Sequence, residues 1–423
     1  MKKRIITSDV LPESLYEYQL DNGLTLRVFP KKGFSANYAI FGVKFGSVDR
    51  SFNISGEYVD LPAGTAHFLE HKMFESEEKD AFERFSRTGA SANAYTSFDR
   101  TCYLFLCSDG FYDSYDILLD FVQSPYFTDE TVLKEQGIIG QEIRMYDDDG
   151  EWQSFMNVLR GLYHNDPVNI DIAGTKESIA EITADTLYKC YNAYYNPANM
   201  FICISGDVDP DEVANFTESR MRVHEPVTFE RDTFDEPEFP AQPCVSCELD
   251  VSKPQFVFAF KETVPTENYP RRCMCADLLL DIIASERSNL YKKLLDMKLV
   301  NSSFSAEVSS GRTYFFTAFS GESSDPEAVC REILAEIQRV REEGIDPEAF
   351  EASRRHLYSF EIRRFDSVDG SVRAFVNSCV DGYDPFFTLE FFKTVTVEEL
   401  NALLKDILKE DRTTLSVVLP KKR

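Results

Sequence analysis

Hydrophobic and polar residues form two similar series along the chain, and each series predicts strands followed by helices. In the first series, YEYQLDNGLTLRVF predicts two strands about an Asn22-Gly23 turn, a pair that strongly favours a β-hairpin. NYAIFGVKFGS predicts a further strand, and ASANAYTSFDRTCYLFLC predicts a strand pair. We expect helices over Tyr112–Ser124, Thr128–Tyr146 and 176–195, and then the strand MFICISGDV.

The second series begins after a segment that has no helical or strand period. Residues 225–243, EPVTFERDTFDEPEFPAQP, are acidic and contain four prolines, which is typical of a linker. The second series then predicts the strand QFVFAFKE, helices over 270–298, the strands SSFSAEVSS and YFFTAFSG, and helices near 325–343 and 346–366.

This order of elements predicts an α+β protein that is built from two similar halves. Each half is expected to be a sandwich of a sheet and helices, because strands and helices segregate in both series. A chain of 423 residues is also too long for one core and favours two domains. We predict an N-terminal domain over 1–224, a linker over 225–243 and a C-terminal domain over 244–423.

Charge and composition exclude several classes of partner. The formal net charge of −27 argues against binding to nucleic acid, whose phosphates need a basic surface. No apolar run approaches the roughly 18 residues of a membrane span. Most of the acidic charge is expected to be a solvated surface, although an acidic cleft would also attract basic peptides.

The ten cysteines are spread over the whole chain, and several lie inside predicted strands and helices. This distribution favours reduced thiols over a disulfide framework and is typical of a cytoplasmic protein. Cys244 and Cys247 form a lone C-x-x-C. Without a second pair it is only a weak signal for a zinc ribbon or a redox site.

The segment AGTAHFLEHKMFE, residues 63–75, contains the strongest chemical signal. It predicts a helix over 62–75, on which His67, Glu70 and His71 share one face. Two neutral imidazoles at i and i+4 can bind one zinc ion, and the glutamate between them would act as a general base. The order is the reverse of the commoner H-E-x-x-H helix. The alternative is a partly buried histidine pair with an ion-paired glutamate.

A catalytic zinc usually has three protein ligands, so another element should supply one. His164, His224 and His356 stand in no spacing that is typical of ligands. The helix ETVLKEQGIIGQEIRMYDDD is more promising, because Glu135 and Glu142 are two helical turns apart and share a face. The spacing alone leaves open which of the two would bind the metal.

These motifs resemble those of the pitrilysin/insulinase family of zinc peptidases, the inverzincins. The resemblance rests on HFLEH at 67–71 and on KEQGIIGQEI at 134–143, whose second glutamate follows His71 by 71 residues. The residues GS before the helix and ANAYTSFDRT after it also match. The chain is most similar to short two-domain bacterial members that are like the mitochondrial processing peptidase.

The resemblance implies a role for each candidate residue. One zinc ion per chain would be bound by His67, His71 and Glu142, with Glu70 as the base that activates water. Glu135 would not bind the metal itself but would orient one of the residues that do. Asn93 and Ala94 would belong to an edge strand that pairs with the backbone of an extended peptide. The second half is expected to lack metal ligands.

The sequence departs from the family at one point. Members usually carry an arginine and a tyrosine in the other half, where they hold the substrate carbonyls. Here the arginine position falls at Leu295 and the tyrosine position at Asn301 or Ser302. A second chain is therefore expected to complete the site, either a paralogue without zinc ligands or another copy of this chain.

We expect a zinc-dependent endopeptidase that hydrolyses short extended peptides or leader segments. The alternative is a non-catalytic scaffold or an accessory subunit of a heterodimeric peptidase-like or modification complex, because relatives of this fold also serve in that way.

Overall fold

A computed structural model describes residues 1–54, 56–77, 80–222 and 227–421. The chain divides into two compact units. The first unit contains Met1–Ile143, Asp171–Thr233 and Ile362–Phe386, and the second contains Arg144–Ile170, Phe234–Glu361 and Phe387–Arg423. Each unit therefore includes a segment from the other half of the sequence. The domain limits 1–224, 225–243 and 244–423 follow the order of the sequence and stay a prediction.

The strands are numbered in chain order. They are β1 (Lys2–Ile6), β2 (Leu15–Gln19), β3 (Thr25–Pro30), β4 (Asn37–Val43), β5 (Ser51–Ile54), β6 (Glu57–Asp60), β7 (Ser91–Thr96), β8 (Thr101–Cys107), β9 (Met200–Gly206), β10 (Phe229–Arg231), β11 (Cys244–Leu249), β12 (Gln255–Lys261), β13 (Ser305–Ser310), β14 (Phe315–Glu322) and β15 (Thr413–Pro420).

The helices are numbered in the same way. They are α1 (Thr65–Met73), α2 (Ala81–Thr88), α3 (Phe111–Val122), α4 (Asp129–Asp147), α5 (Gly150–Leu162), α6 (Lys176–Ala180), α7 (Ala184–Tyr194), α8 (Pro210–Arg220), α9 (Tyr269–Ala284), α10 (Asn289–Asp296), α11 (Pro326–Glu343), α12 (Pro347–Arg364), α13 (Val368–Asp381), α14 (Phe387–Thr394) and α15 (Val397–Leu403). In the described ranges, no helix is both long and apolar enough to cross a lipid bilayer.

The larger sheet of the first unit has the strand order β1-β2-β3-β9-β4-β8-β7, so β7 lies at one edge. Its pairs are antiparallel except β3 with β9. β4 and β9 are buried along their whole length, which explains their continuous apolar runs. α13 packs on β9 and β4. A smaller sheet has the order β10-β5-β6.

The second unit is built around a sheet with the order β11-β15-β12-β14-β13. α5 packs on β15, β12 and β11, and α9 contacts β13. Each unit thus combines a mainly antiparallel sheet with packed helices, and the predicted α+β class with two similar halves is confirmed.

Several predicted elements differ in extent. The helix expected over 176–195 is two helices, because Thr183 caps α7 by accepting a hydrogen bond from the backbone N–H of Thr186. The stretch over 270–298 is also divided, and Ser288 caps α10. The linker includes β10, which pairs with β5.

Candidate metal centre

The helix α1 is shorter than predicted and begins at Thr65. Its N-cap, Gly64, has φ 88°, a left-handed conformation that favours glycine. A Cβ on Gly64 would lie 2.5 Å from the carbonyl oxygen of Ala173, so the close approach also requires glycine. α1 packs on β7 and α7 through buried apolar residues, and this packing fixes which face of the helix carries the polar side chains.

The three predicted metal ligands converge at this face. The Nε2 atom of His67 lies 3.7 Å from one carboxylate oxygen of Glu142, and the Nε2 atom of His71 lies 3.5 Å from the other. One donor atom from each residue lies within 4.8 Å of the other two. Among the described histidines, cysteines and acidic residues, this is the group with the geometry of a metal site.

Glu135 lies on the other side of the His71 ring. Its carboxylate is 2.9 Å from Nδ1 of His71, and its side chain is buried. A carboxylate can only accept, so Nδ1 carries the proton in this pair and Nε2 keeps its lone pair when the ring is neutral. This is the tautomer that a metal bound at Nε2 requires.

The protonation of the two imidazoles follows from their surroundings. Burial, with a smaller contribution from His71, lowers the pKa of His67 to about 3, so this ring is neutral at physiological pH. Burial also disfavours the charged form of His71, but the hydrogen bond to Glu135 and the nearby carboxylates raise its pKa above the usual value. Binding of a cation at Nε2 would release that proton.

The donor set therefore fits zinc, which prefers imidazole nitrogen and carboxylate oxygen and leaves a position open when three residues bind it. His67 is held differently from His71. Its Nδ1 atom is buried and has no hydrogen-bond partner among the described residues. Packing, rather than a hydrogen bond, orients this ring, and its edge-on contact with the His71 ring has a centroid distance of 4.6 Å.

Glu70 is almost fully buried next to the ligands, with 8% of its surface exposed. Its Oε2 atom accepts a hydrogen bond of 2.7 Å from the hydroxyl of Thr96 on β7. Burial raises the pKa of Glu70, and the bond from Thr96 only partly offsets this effect. Sequence reasoning missed Thr96, because nothing in the sequence indicates which β7 side chain reaches α1.

The other candidates from the sequence that the structure describes do not form a second metal group. Cys244 and Cys247 are three apart on β11 and therefore point to opposite faces of the strand. His356 contacts Asp281 and Arg287 at the surface of the second unit. His164 lies outside the helices and is not part of the described metal group. His224 lies outside the described residues.

Comparison with known proteins agrees with this geometry. Residues 56–176 match the family model for insulinase, peptidase family M16, and residues 181–357 match the model for the M16 inactive domain. The chain is 35% identical over 428 aligned residues to a Bacillus subtilis protein named as the uncharacterized zinc protease YmfH, covering 98% of this chain and 99% of that protein. The chain belongs to the M16 peptidase family.

Solved structures of several peptidases have the same fold. An M16-like peptidase from Alicyclobacillus acidocaldarius is 37% identical, with a TM-score of 0.94 over 98% of this chain and all of that chain. A protease from Helicobacter pylori has a TM-score of 0.82 at 20% identity over 96% of this chain and 99% of its own. Pitrilysin matches all of this chain with 47% of its own length, with a TM-score of 0.77 at 17% identity.

The strand expected to bind substrate in this M16 chain lies at the sheet edge. β7 pairs with β8 on one side, where Asn93 is opposite Leu104 and Ala94 is opposite Tyr103. Its other side has no neighbouring strand within the described part of the chain. The side chain of Asn93 is exposed and accepts a hydrogen bond from the backbone N–H of Ala94.

In the second unit, the two positions at which the resemblance led us to look for an arginine and a tyrosine carry other side chains. Leu295 lies in α10 and is 38% exposed. Asn301 donates a 2.7 Å hydrogen bond to Glu322 and also accepts one from Ser303. Neither position presents a cation or a phenol.

Proposed function

We propose that this protein is a zinc-dependent endopeptidase that hydrolyses short, extended peptides or leader segments. One observation carries the proposal. The imidazoles of His67 and His71 and the carboxylate of Glu142 converge beside the buried carboxylate of Glu70. Converging nitrogen and oxygen donors with an adjacent general base are what zinc-assisted hydrolysis requires.

When bound, the zinc ion would lower the pKa of a water molecule and polarise the scissile carbonyl. The chain's own residues supply the proton transfer. The hydroxyl of Thr96 donates a hydrogen bond to Oε2 of Glu70. The second oxygen, Oε1, can therefore accept a proton from the attacking water and return it to the leaving amine. Burial helps here, because a raised pKa makes the carboxylate a stronger base.

The edge position of β7 supports an extended substrate. An unpaired strand edge offers backbone N–H and C=O groups in one row, and a peptide can bind there as an additional strand. Such binding recognises the main chain of the peptide and therefore tolerates many different peptide side chains. The net charge of −27 favours basic peptides through long-range attraction.

We also propose a second chain as partner, either a paralogue without zinc ligands or another copy. The neutral side chains at Leu295 and Asn301 support this view, because a substrate carbonyl gains nothing from them. The ten free cysteines support a cytoplasmic location.

The decisive experiment compares the full-length protein with Glu70→Gln. Glutamine keeps the shape of the side chain and all three metal ligands but cannot accept the proton. We expect both proteins to bind about one zinc per chain, and only the unchanged protein to cleave quenched fluorescent basic peptides. The loss on substitution should be about 100-fold or more.

The peptidase activity of the unchanged protein and of Glu70→Gln is measured for each protein alone and after addition of candidate partner chains. If both proteins bind zinc and neither cleaves under either condition, the endopeptidase proposal is wrong and a scaffold or accessory role takes its place. Glu130→Gln is a matched control, because Glu130 is exposed in the first turn of α4 and away from the ligands.

A further inference from the structure

A pair of cysteines in the first unit lies apart from the metal centre and has no role in the proposed reaction. Cys203 is on β9 and Cys379 is on α13, 176 positions later in the chain. Their sulfur atoms are 3.8 Å apart, and both residues are buried. α13 packs directly on β9, so the sheet and the helix hold the two thiols in contact.

A cavity of about 360 Å³ leads to one of these two thiols. Cys379 is among its lining residues, together with the basic side chains of Arg27 and Lys44, whereas Cys203 is fully buried behind it. A small polar molecule can therefore reach Cys379 first. Cys203 can then react only through its neighbour.

The charges around the cavity distinguish Cys379 from an ordinary buried thiol. Burial alone would raise the pKa of Cys379, but a hydrogen bond from Cys203 and the positive charges of Arg27 and Lys44 hold it below the usual value. Glu17 is the opposing charge, and its carboxylate is engaged by Arg27 at 2.8 Å. Burial lowers the pKa of Lys44, and the negative charges of the Cys379 thiolate and of Asp381 partly oppose this effect.

The pKa values of other buried cysteines are raised instead. Burial raises the pKa of Cys102 to about 12 although a hydrogen bond from Tyr95 and the charge of Arg100 oppose it, and it raises the pKa of Cys190 without a nearby positive charge to oppose it. A reactive thiol needs both a stabilised thiolate and access. Cys379 combines the two and also has a second sulfur in contact.

We propose that Cys379 and Cys203 are a redox modification site, at which a hydroperoxide converts the two thiols into a reversible disulfide. In the first step the Cys379 thiolate attacks one peroxide oxygen. An S–O bond forms, the O–O bond breaks, and the departing oxygen leaves as water or an alcohol after it takes up a proton. Cys379 is then a sulfenic acid.

In the second step the sulfur of Cys203 attacks the sulfur of Cys379. The S–S bond forms, the S–O bond breaks, and the released hydroxide takes the thiol proton of Cys203 to give a second water. Two thiols lose two electrons in total, and the peroxide gains them. A dithiol reductant reverses the reaction.

The disulfide would attach α13 covalently to β9. It would close a loop over more than a third of the chain, since the two residues are 176 positions apart. A loop of this size makes the denatured chain more compact, so the oxidised protein should migrate faster on a non-reducing gel.

The test uses the reduced full-length protein, treated with hydrogen peroxide and mapped by mass spectrometry without reductant. We expect a loss of two mass units, a cross-linked peptide pair that contains Cys203 and Cys379, and its disappearance with dithiothreitol. Free Cys379 should be consumed about tenfold faster than Cys190, or more. The proposal is wrong if exposed Cys244 is oxidised while both thiols of the pair stay free.

Three variants separate the steps. Cys203→Ser should leave a Cys379 sulfenic acid that dimedone captures, because the second sulfur is absent. Cys379→Ser should protect Cys203 from oxidation. Cys190→Ser, a buried control on α7, should form the cross-link at the rate of the unchanged protein. Equal dimedone labelling of the unchanged protein and Cys203→Ser would exclude Cys203 as the resolving thiol.

Discussion

The substitution Glu135→Gln tests how the carboxylate behind His71 prepares the metal site. The carboxylate accepts a 2.9 Å hydrogen bond from Nδ1 and so keeps the lone pair on Nε2. A glutamine can still accept, but its bond is neutral, and its amide can also donate and stabilise the wrong tautomer. Hydrogen bonds to charged groups contribute about 1.5–3 kcal/mol and neutral ones about 0.5–1.5 kcal/mol.

The difference of about 1–2 kcal/mol corresponds to a fivefold to thirtyfold weaker affinity for zinc. Competition with a chromogenic chelator measures this affinity in the unchanged protein, Glu135→Gln and Glu142→Gln. Removal of the proposed ligand Glu142 should weaken binding further than removal of the charge at Glu135, and the exposed control Glu130→Gln should have no effect. An affinity for Glu135→Gln within twofold of the unchanged protein would refute this reasoning.

The remaining predictions address Glu70, the zinc helix and a buried acid of the second unit. Thr96→Val should lower kcat about tenfold or more at unchanged zinc content, because it removes the hydrogen bond that orients the Glu70 carboxylate, and a bond to a charged acceptor contributes about 1.5–3 kcal/mol; an unchanged kcat would contradict this role. Gly64→Ala should destabilise the protein by about 1–3 kcal/mol in urea unfolding, since φ is 88° and a Cβ would clash with Ala173. Burial raises the pKa of Glu262 to about 8 from 4.5, so stability should fall as the pH rises from about 4.5 to 8, by up to about 1.4 kcal/mol per pH unit. Glu262→Gln should flatten this dependence, and an equally steep dependence in both proteins would show that another group causes it.

Much of the fold follows from local patterns in the sequence. The Asn22-Gly23 hairpin, the pair β7–β8 and the helix α4 are found at or near their predicted positions. Each of these elements carries its own signal, such as a turn dipeptide, a cap or a strict period. Such signals do not depend on what the element packs against.

Six described helices, α2, α5, α8, α13, α14 and α15, were not predicted from the sequence, and two of them show why. α13, with the sequence VDGSVRAFVNSCVD, contains glycine, serine and β-branched residues that have low helix propensity. α5 buries Ser154 and Asn157 beside apolar residues, which obscures its period. Both helices gain their stability by packing on the sheet of a unit that contains segments from both halves of the sequence, and no local pattern encodes that packing.

The two carboxylates of α4 show how structure resolves an alternative that spacing leaves open. Glu135 and Glu142 share a helix face and are about 10 Å apart along its axis, so periodicity treats them alike. The imidazole of His71 distinguishes them, because Glu135 lies at Nδ1 and Glu142 lies near Nε2, where Nε2 of His67 also converges. Only the carboxylate that meets both Nε2 atoms can share a metal ion with them. The other can act only through the ring, which is why their substitutions should differ in zinc affinity.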